Sequence, residues 1–128
     1  MEPRSFDLRS TFLQLAADGS ARQLPVGPDF WSTIQTRTDL DDGRLLMVLE
    51  MERDWPTWEI HPAGDEVVLL LEGSATMILD LPGGAREVAL AAGEAVLVPR
   101  GTWHTADLPV PCRMLFLTPG RGTENRVR

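Results

Sequence analysis

Proline and glycine punctuate this chain from Leu24 to Gly120 at intervals too short for ordinary helices. Between Pro25, Gly43, Pro56, Gly64, Gly73, Gly84, Gly93, Pro99, Gly101, Pro111 and Pro119 lie short apolar runs: "LLMVLEM", "EVVLLLEG", "ATMILDL", "REVALAA", "EAVLVP" and "CRMLFLTP". Many short strands bounded by turn residues predict an all-β sandwich or barrel. The stretch "LPGGAREV" predicts a hairpin, with Gly83 and Gly84 supplying positive φ. Upstream, "DLRSTFLQLAAD" (7–18) reads as a short helix. Asp7 is its N-cap and Gly19 its stop, and Leu8, Phe12 and Leu15 recur at helical spacing. The polar end "GRGTENRVR" is expected to fray. The resulting plan is one domain: a helical N-terminal segment over 1–23, a barrel over 24–119 and a flexible tail over 120–128.

Composition narrows the function classes. The 128 residues are 43% hydrophobic, enough for a real core, and carry a net charge of −7. An acidic surface repels phosphate backbones, so a nucleic-acid partner is not expected. All 12 basic residues are arginine, which removes Schiff-base and lysine-base chemistry, and there is no tyrosine acid. The single cysteine, Cys112, lies in an apolar run and reads as a buried inert thiol. The N-terminus lacks a signal peptide's continuous apolar stretch, and no segment has the ~20 apolar residues of a membrane span. A cytoplasmic protein without membrane contact is the expectation.

The chemistry-bearing residues cluster in "WEIHPAGDEVVLLLEG" and "GEAVLVPRGTWHTADL". Residues two apart on a strand share a face, so Glu59 and His61 point one way and Trp58 and Ile60 the other. "PAGD" permits a tight reversal, after which Glu66 opens a strand and shares its face with Val68 and Leu70. Asp65 reads as the cap of that turn. His104, following Pro99 and Gly101, starts a later strand; it and His61 are the only histidines. The bland alternatives are a Glu59–His61 pair hydrogen-bonded at a barrel mouth, and a Glu66–Arg100 salt bridge. Trp55, Trp58 and Trp103 are candidate pocket walls, although Trp58 faces away from Glu59. Met47, Met51, Met77 and Met114 read as core filling, and the arginines of the tail as solvated.

These residues carry a family resemblance. The chain resembles a small single-domain cupin, whose fold is a jelly-roll double-stranded β-helix. The first cupin motif is G, five residues, H-x-H, three or four residues, E, six residues, G, and His61, Glu66 and Gly73 match it. The second is G, five residues, P-x-G, two residues, H, three residues, N, and Gly93, Pro99, Gly101 and His104 match it. Glu59 stands where the motif has its first histidine, Leu108 where it has asparagine and Arg53 where it has the opening glycine.

The resemblance implies a divalent transition metal (Mn, Fe, Ni or Zn) in the barrel and a small-molecule ligand or substrate. Three arrangements fit Glu59. All of Glu59, His61, Glu66 and His104 could be ligands, two carboxylates favouring Mn(II) or Fe(II) over Cu. His61 and His104 could bind with one glutamate, a set suited to non-haem iron. Or no metal binds, and a carboxylate and an imidazole act as an acid/base pair, with Glu59 catalytic. The function classes are accordingly a metal-dependent oxygenase, isomerase or decarboxylase, a non-catalytic ligand-binding or sensory cupin, and a metal-free isomerase or cyclase. The resemblance also implies a homodimer formed by strand addition, for which "DFWSTI" (Asp29 to Ile34) is the candidate edge.

Overall fold

The structure, a computed structural model, describes residues 2–128. It is built from β1 (Thr11–Leu15), β2 (Ala21–Pro25), a one-turn α1 (Phe30–Thr33), two 3-10 turns, then β3 (Arg44–Met51), β4 (Thr57–Ile60), β5 (Glu66–Glu72), β6 (Ser74–Leu81), β7 (Gly84–Ala91), β8 (Ala95–Val98), β9 (His104–Asp107), β10 (Cys112–Thr118) and β11 (Glu124–Val127). The strands form two antiparallel sheets, of order β2-β1-β3-β10-β5-β8 and β11-β4-β9-β6-β7. Each apolar run of the sequence lies on a strand, and the "LPGGAREV" hairpin forms between β6 and β7 with Leu81 opposite Gly84.

Period-two alternation sets the core. On β10, Cys112, Met114, Phe116 and Thr118 are buried and the residues between them are not; on β5, Glu66, Val68 and Leu70 take the inner face. Phe12, Leu70, Met77, Met114, Val68 and Val98 are among the most completely buried side chains. Burying a Leu-, Met- or Phe-sized side chain contributes about 1.5–3 kcal/mol, so this inner layer is the main stabilising element. Met77 and Met114 fill it, as their sequence context implies. Cys112 is buried and free, and burial raises its thiol pKa, which keeps it inert.

Three sequence expectations are corrected. Residues 7–18 are not a helix. A turn after Asp7 leads into β1, which pairs with β2 and β3. The apparent helical stripe concealed a strand whose inner face carries Phe12 and a polar Gln14, and the Gln14 amide donates to the carbonyls of Asp39 and Asp42. Gly19, at φ 92°, closes a β1–β2 hairpin rather than stopping a helix.

"DFWSTI" is not an edge strand. The amide of Thr33 donates to Asp29 O, winding the segment into α1, and Phe30 packs edge-on against Phe12 with centroids 5.3 Å apart. The strand-addition route to a dimer through this segment therefore falls. The tail is not frayed: β11 pairs with β4 over four residues, Glu124 with Ile60 through Val127 with Thr57. Among the described residues no helix is long and apolar enough to cross a membrane.

Candidate metal centre

The four residues singled out by motif spacing meet inside the barrel. Glu59 comes from β4, His61 from the residue just beyond it, Glu66 from the first position of β5 and His104 from the first position of β9. Glu59 and His104 are directly opposite in the β4–β9 pair, which brings the two halves of the sequence together. The His61 and His104 rings lie 5.2 Å apart. His61 Nε2 is 3.2 Å from Glu66 Oε2 and 3.7 Å from Glu59 Oε2, and His104 Nε2 is 3.1 Å from Glu66 Oε1. One donor atom each from Glu59, His61 and His104 lies within 4.8 Å of the others.

These contacts are close but not aligned as hydrogen bonds. His61 Nε2, His104 Nε2 and Glu66 Oε1 are buried and none has a hydrogen-bond partner. The opposite ring nitrogens are anchored: His104 Nδ1 lies 3.0 Å from Thr102 O, and His61 Nδ1 lies 2.8 Å from Thr123 Oγ1. A carbonyl only accepts, so His104 donates from Nδ1, and its neutral ring carries the lone pair on Nε2. Buried polar atoms left unpaired are costly and call for a partner. Two donor atoms each ~2.1 Å from one ion, with a right angle between them at the ion, stand about 3 Å apart, the spacing seen between Glu66 and each of the two Nε2 atoms, with Glu59 Oε2 farther out at 3.7 Å from His61. The donor set thus fits a divalent ion. Imidazole and carboxylate are the ligands that suit Mn, Fe and Zn.

Electrostatics follow from the crowding. Burial pushes the Glu66 carboxyl up, but the two imidazoles against it outweigh burial and hold it at about 2. Thr118 adds a hydroxyl donated to Glu66 Oε2 at 2.6 Å. Burial lowers the His104 pKa, yet the Glu66 carboxylate beside it raises it overall above the usual 6.5. Burial and the charge of Glu66 together raise Glu59 above the ordinary carboxylate value. Glu59, at 34% side-chain exposure, is the most open of the four and faces a cavity of about 680 Å³.

The cavity has apolar walls from Met47, Met51, Trp55 and Phe116, and polar groups from Arg53, Thr123 and Asn125. Trp55 lies 6.2 Å, centroid to centroid, from His104 and donates its indole N–H to Met51 Sδ at 2.9 Å. Trp58 and Trp103 do not line it; they flank the guanidinium of Arg126 at 5.7 and 4.4 Å. The Asp65 carboxylate does not bond within its own turn; it accepts from the backbone amide of Arg100 in the Pro99–Gly101 loop at 2.8 Å, and Glu66 is buried without Arg100 as partner. The three departures from the cupin motifs are accommodated: Arg53 lines the cavity, Leu108 joins the core, and Glu59 joins the donor cluster.

Sequence reasoning missed Thr118, Thr102 and Thr123. Thr118 had a signal, since it continues the inward parity of β10 with a hydroxyl. Thr102 acts through its carbonyl, which no side-chain motif encodes. Thr123 sits in the segment expected to fray.

A double β-sheet barrel with two histidines and two carboxylates converging on an internal cavity defines a small barrel protein with a candidate metal site. The cupin domain family matches residues 45–118, and the chain belongs to that family. No curated protein matches. Among solved structures, a cupin-2 domain containing protein from Shewanella frigidimarina NCIMB 400 is similar at 22% identity and TM-score 0.50, over 65% of this chain and 71% of that one. Fe(II)-HppE with the alternative substrate (S)-1-HPP is similar at 18% identity and TM-score 0.50, over 59% of this chain. Oxalate oxidase is similar at 19% identity and TM-score 0.55, over 63% of this chain. This chain spans only 42% of the HppE chain and 45% of the oxalate oxidase chain, so the likeness is one of fold.

Proposed function

We propose that this cupin binds one divalent transition ion through Glu59, His61, Glu66 and His104 and acts as an enzyme on a small organic molecule held in the adjoining cavity. The observation that carries the reading is the pair of buried Nε2 atoms, each without a hydrogen bond and each about 3 Å from a Glu66 oxygen. Two carboxylates beside two imidazoles favour Fe(II) or Mn(II) over Cu. When bound, such an ion supplies Lewis acidity toward an oxygen of the molecule in the cavity. The chain's own residues do the rest. Met47, Met51, Trp55 and Phe116 bury the apolar body of the ligand, and the cavity is of a size that suits a small organic molecule. Glu59, the most open of the four, completes the donor set on the side that faces the cavity.

The similarity to Fe(II)-HppE and oxalate oxidase supports metal-dependent chemistry on a small substrate without choosing the reaction. The test is the metal content of protein purified without added metal and without a histidine tag, beside Glu59→Ala and His104→Ala. Near one equivalent in the wild type, reduced in both variants, is expected. No uptake, even after incubation with Mn, Fe, Ni or Zn, refutes the reading. Loss in His104→Ala alone moves Glu59 from ligand to base.

A further inference from the structure

The matched cupin segment ends at Thr118, yet the chain beyond it forms part of the cavity wall. β11 runs antiparallel to β4 with Asn125 opposite Glu59 and Arg126 opposite Trp58. Opposed residues share a face, and residues two apart on one strand share it too. Asn125 therefore lies on the Glu59 side, and Arg126 on the Trp58 side. Thr123, two residues before Asn125, reaches His61: its Oγ1 is 2.8 Å from His61 Nδ1. The outward residues anchor the strand. Arg126 stacks over Trp103 at 4.4 Å, and Arg128 pairs with Asp107 at 2.7 Å and donates to the carbonyls of Trp55 and Ala106.

Resting on the metal reading above, we propose that this C-terminal segment, Thr123 and the β11 strand that follows it, is a working part of the site, with Thr123 as the positioning residue for His61. The His61 Nδ1–H donates to Thr123 Oγ1, which fixes the ring plane and leaves Nε2 as the ligating atom. A histidine ligand needs such an outer partner because the hydrogen bond sets both tautomer and direction. His104 has its partner in the Thr102 carbonyl, within the family segment; His61 finds its partner only after that segment, in the turn residue that leads into β11. Arg126 and Arg128 lie outside the donor cluster and hold Thr123 in register.

The test uses the full chain and Co(II) alone as the probe, titrated under visible absorption, which reads both affinity and coordination. Thr123→Val keeps the shape and removes the hydroxyl; it is expected to weaken Co(II) binding about 10–100-fold and to alter the Co(II) spectrum. Thr123→Ser is expected to restore affinity and spectrum. Wild-type affinity and spectrum in Thr123→Val, whatever its melting temperature, overturn the proposal and leave the metal reading standing. A wild-type chain that takes up no Co(II) overturns both. Should Thr123→Val fail to fold, the Zn(II)-loaded wild type decides by histidine nitrogen NMR: His61 is expected to be bound through Nε2 with its proton on Nδ1. Binding through Nδ1 overturns the proposal.

Discussion

Lowering the pH from about 7.5 to about 5.5 should weaken metal binding at this cluster at least about tenfold and by up to about a hundredfold through His104 alone. His104 must shed a proton from Nε2 to ligate, because its Nδ1–H is committed to the Thr102 carbonyl. Burial opposes the charged ring, but the Glu66 carboxylate 3.1 Å away more than offsets it, so the metal-free ring titrates above the usual 6.5. Below that value each pH unit costs a factor of ten, about 1.4 kcal/mol.

The metal-free protein should respond with the opposite sign. A raised imidazole pKa contributes stability that is fully present below 6.5 and lost as the pH rises through the folded value. Glu66, held at about 2 against the usual 4.5, contributes stability that is present above 4.5 and lost as the pH falls through about 2. The pair therefore stabilises the metal-free fold best between about 4.5 and about 6.5. Calorimetric titration with Mn(II) across the pH range, with melting curves in chelator and in excess Mn(II), measures both trends. The stabilisation by metal should widen as the pH rises. An affinity flat from about 7.5 to about 5.5 would refute the assignment of His104 as a ligand.

Two further outcomes follow from single contacts. Thr118→Val removes the hydroxyl donated to buried Glu66 Oε2 at 2.6 Å, and should cost about 1–3 kcal/mol by denaturant unfolding in the metal-free protein; an unchanged midpoint would mean that water replaces the hydroxyl. Gly73→Ala meets two obstacles, a φ of +91° and a new Cβ only 2.6 Å from Pro111 O. It should lower stability by more than the ~1–2 kcal/mol of the left-handed backbone alone, with no effect on metal stoichiometry in the folded fraction.

The sequence by itself determined the strand-rich class, the hairpin at Gly83–Gly84 and the four residues of the cluster. Those features rest on local rules. Alternation on "EVVLLLEG" and "CRMLFLTP" decides which side chains turn inward, and turn residues decide where strands end. Motif spacing then fixes Glu59, His61, Glu66 and His104 by their positions along the strands. What only the tertiary structure decided are the elements whose patterns depend on a partner. β1 places Gln14 inward because Asp39 and Asp42 offer it carbonyls from a distant loop, so a polar residue on the inner face breaks the apolar alternation that marks a strand. β11 is exposed along its whole length and has no apolar face to announce it; backbone pairing with β4 and the arginine contacts hold it there. A strand stabilised by hydrogen bonds to a neighbour leaves little trace in its own composition. That is why the hydroxyl beside His61 could be found only once the chain was folded.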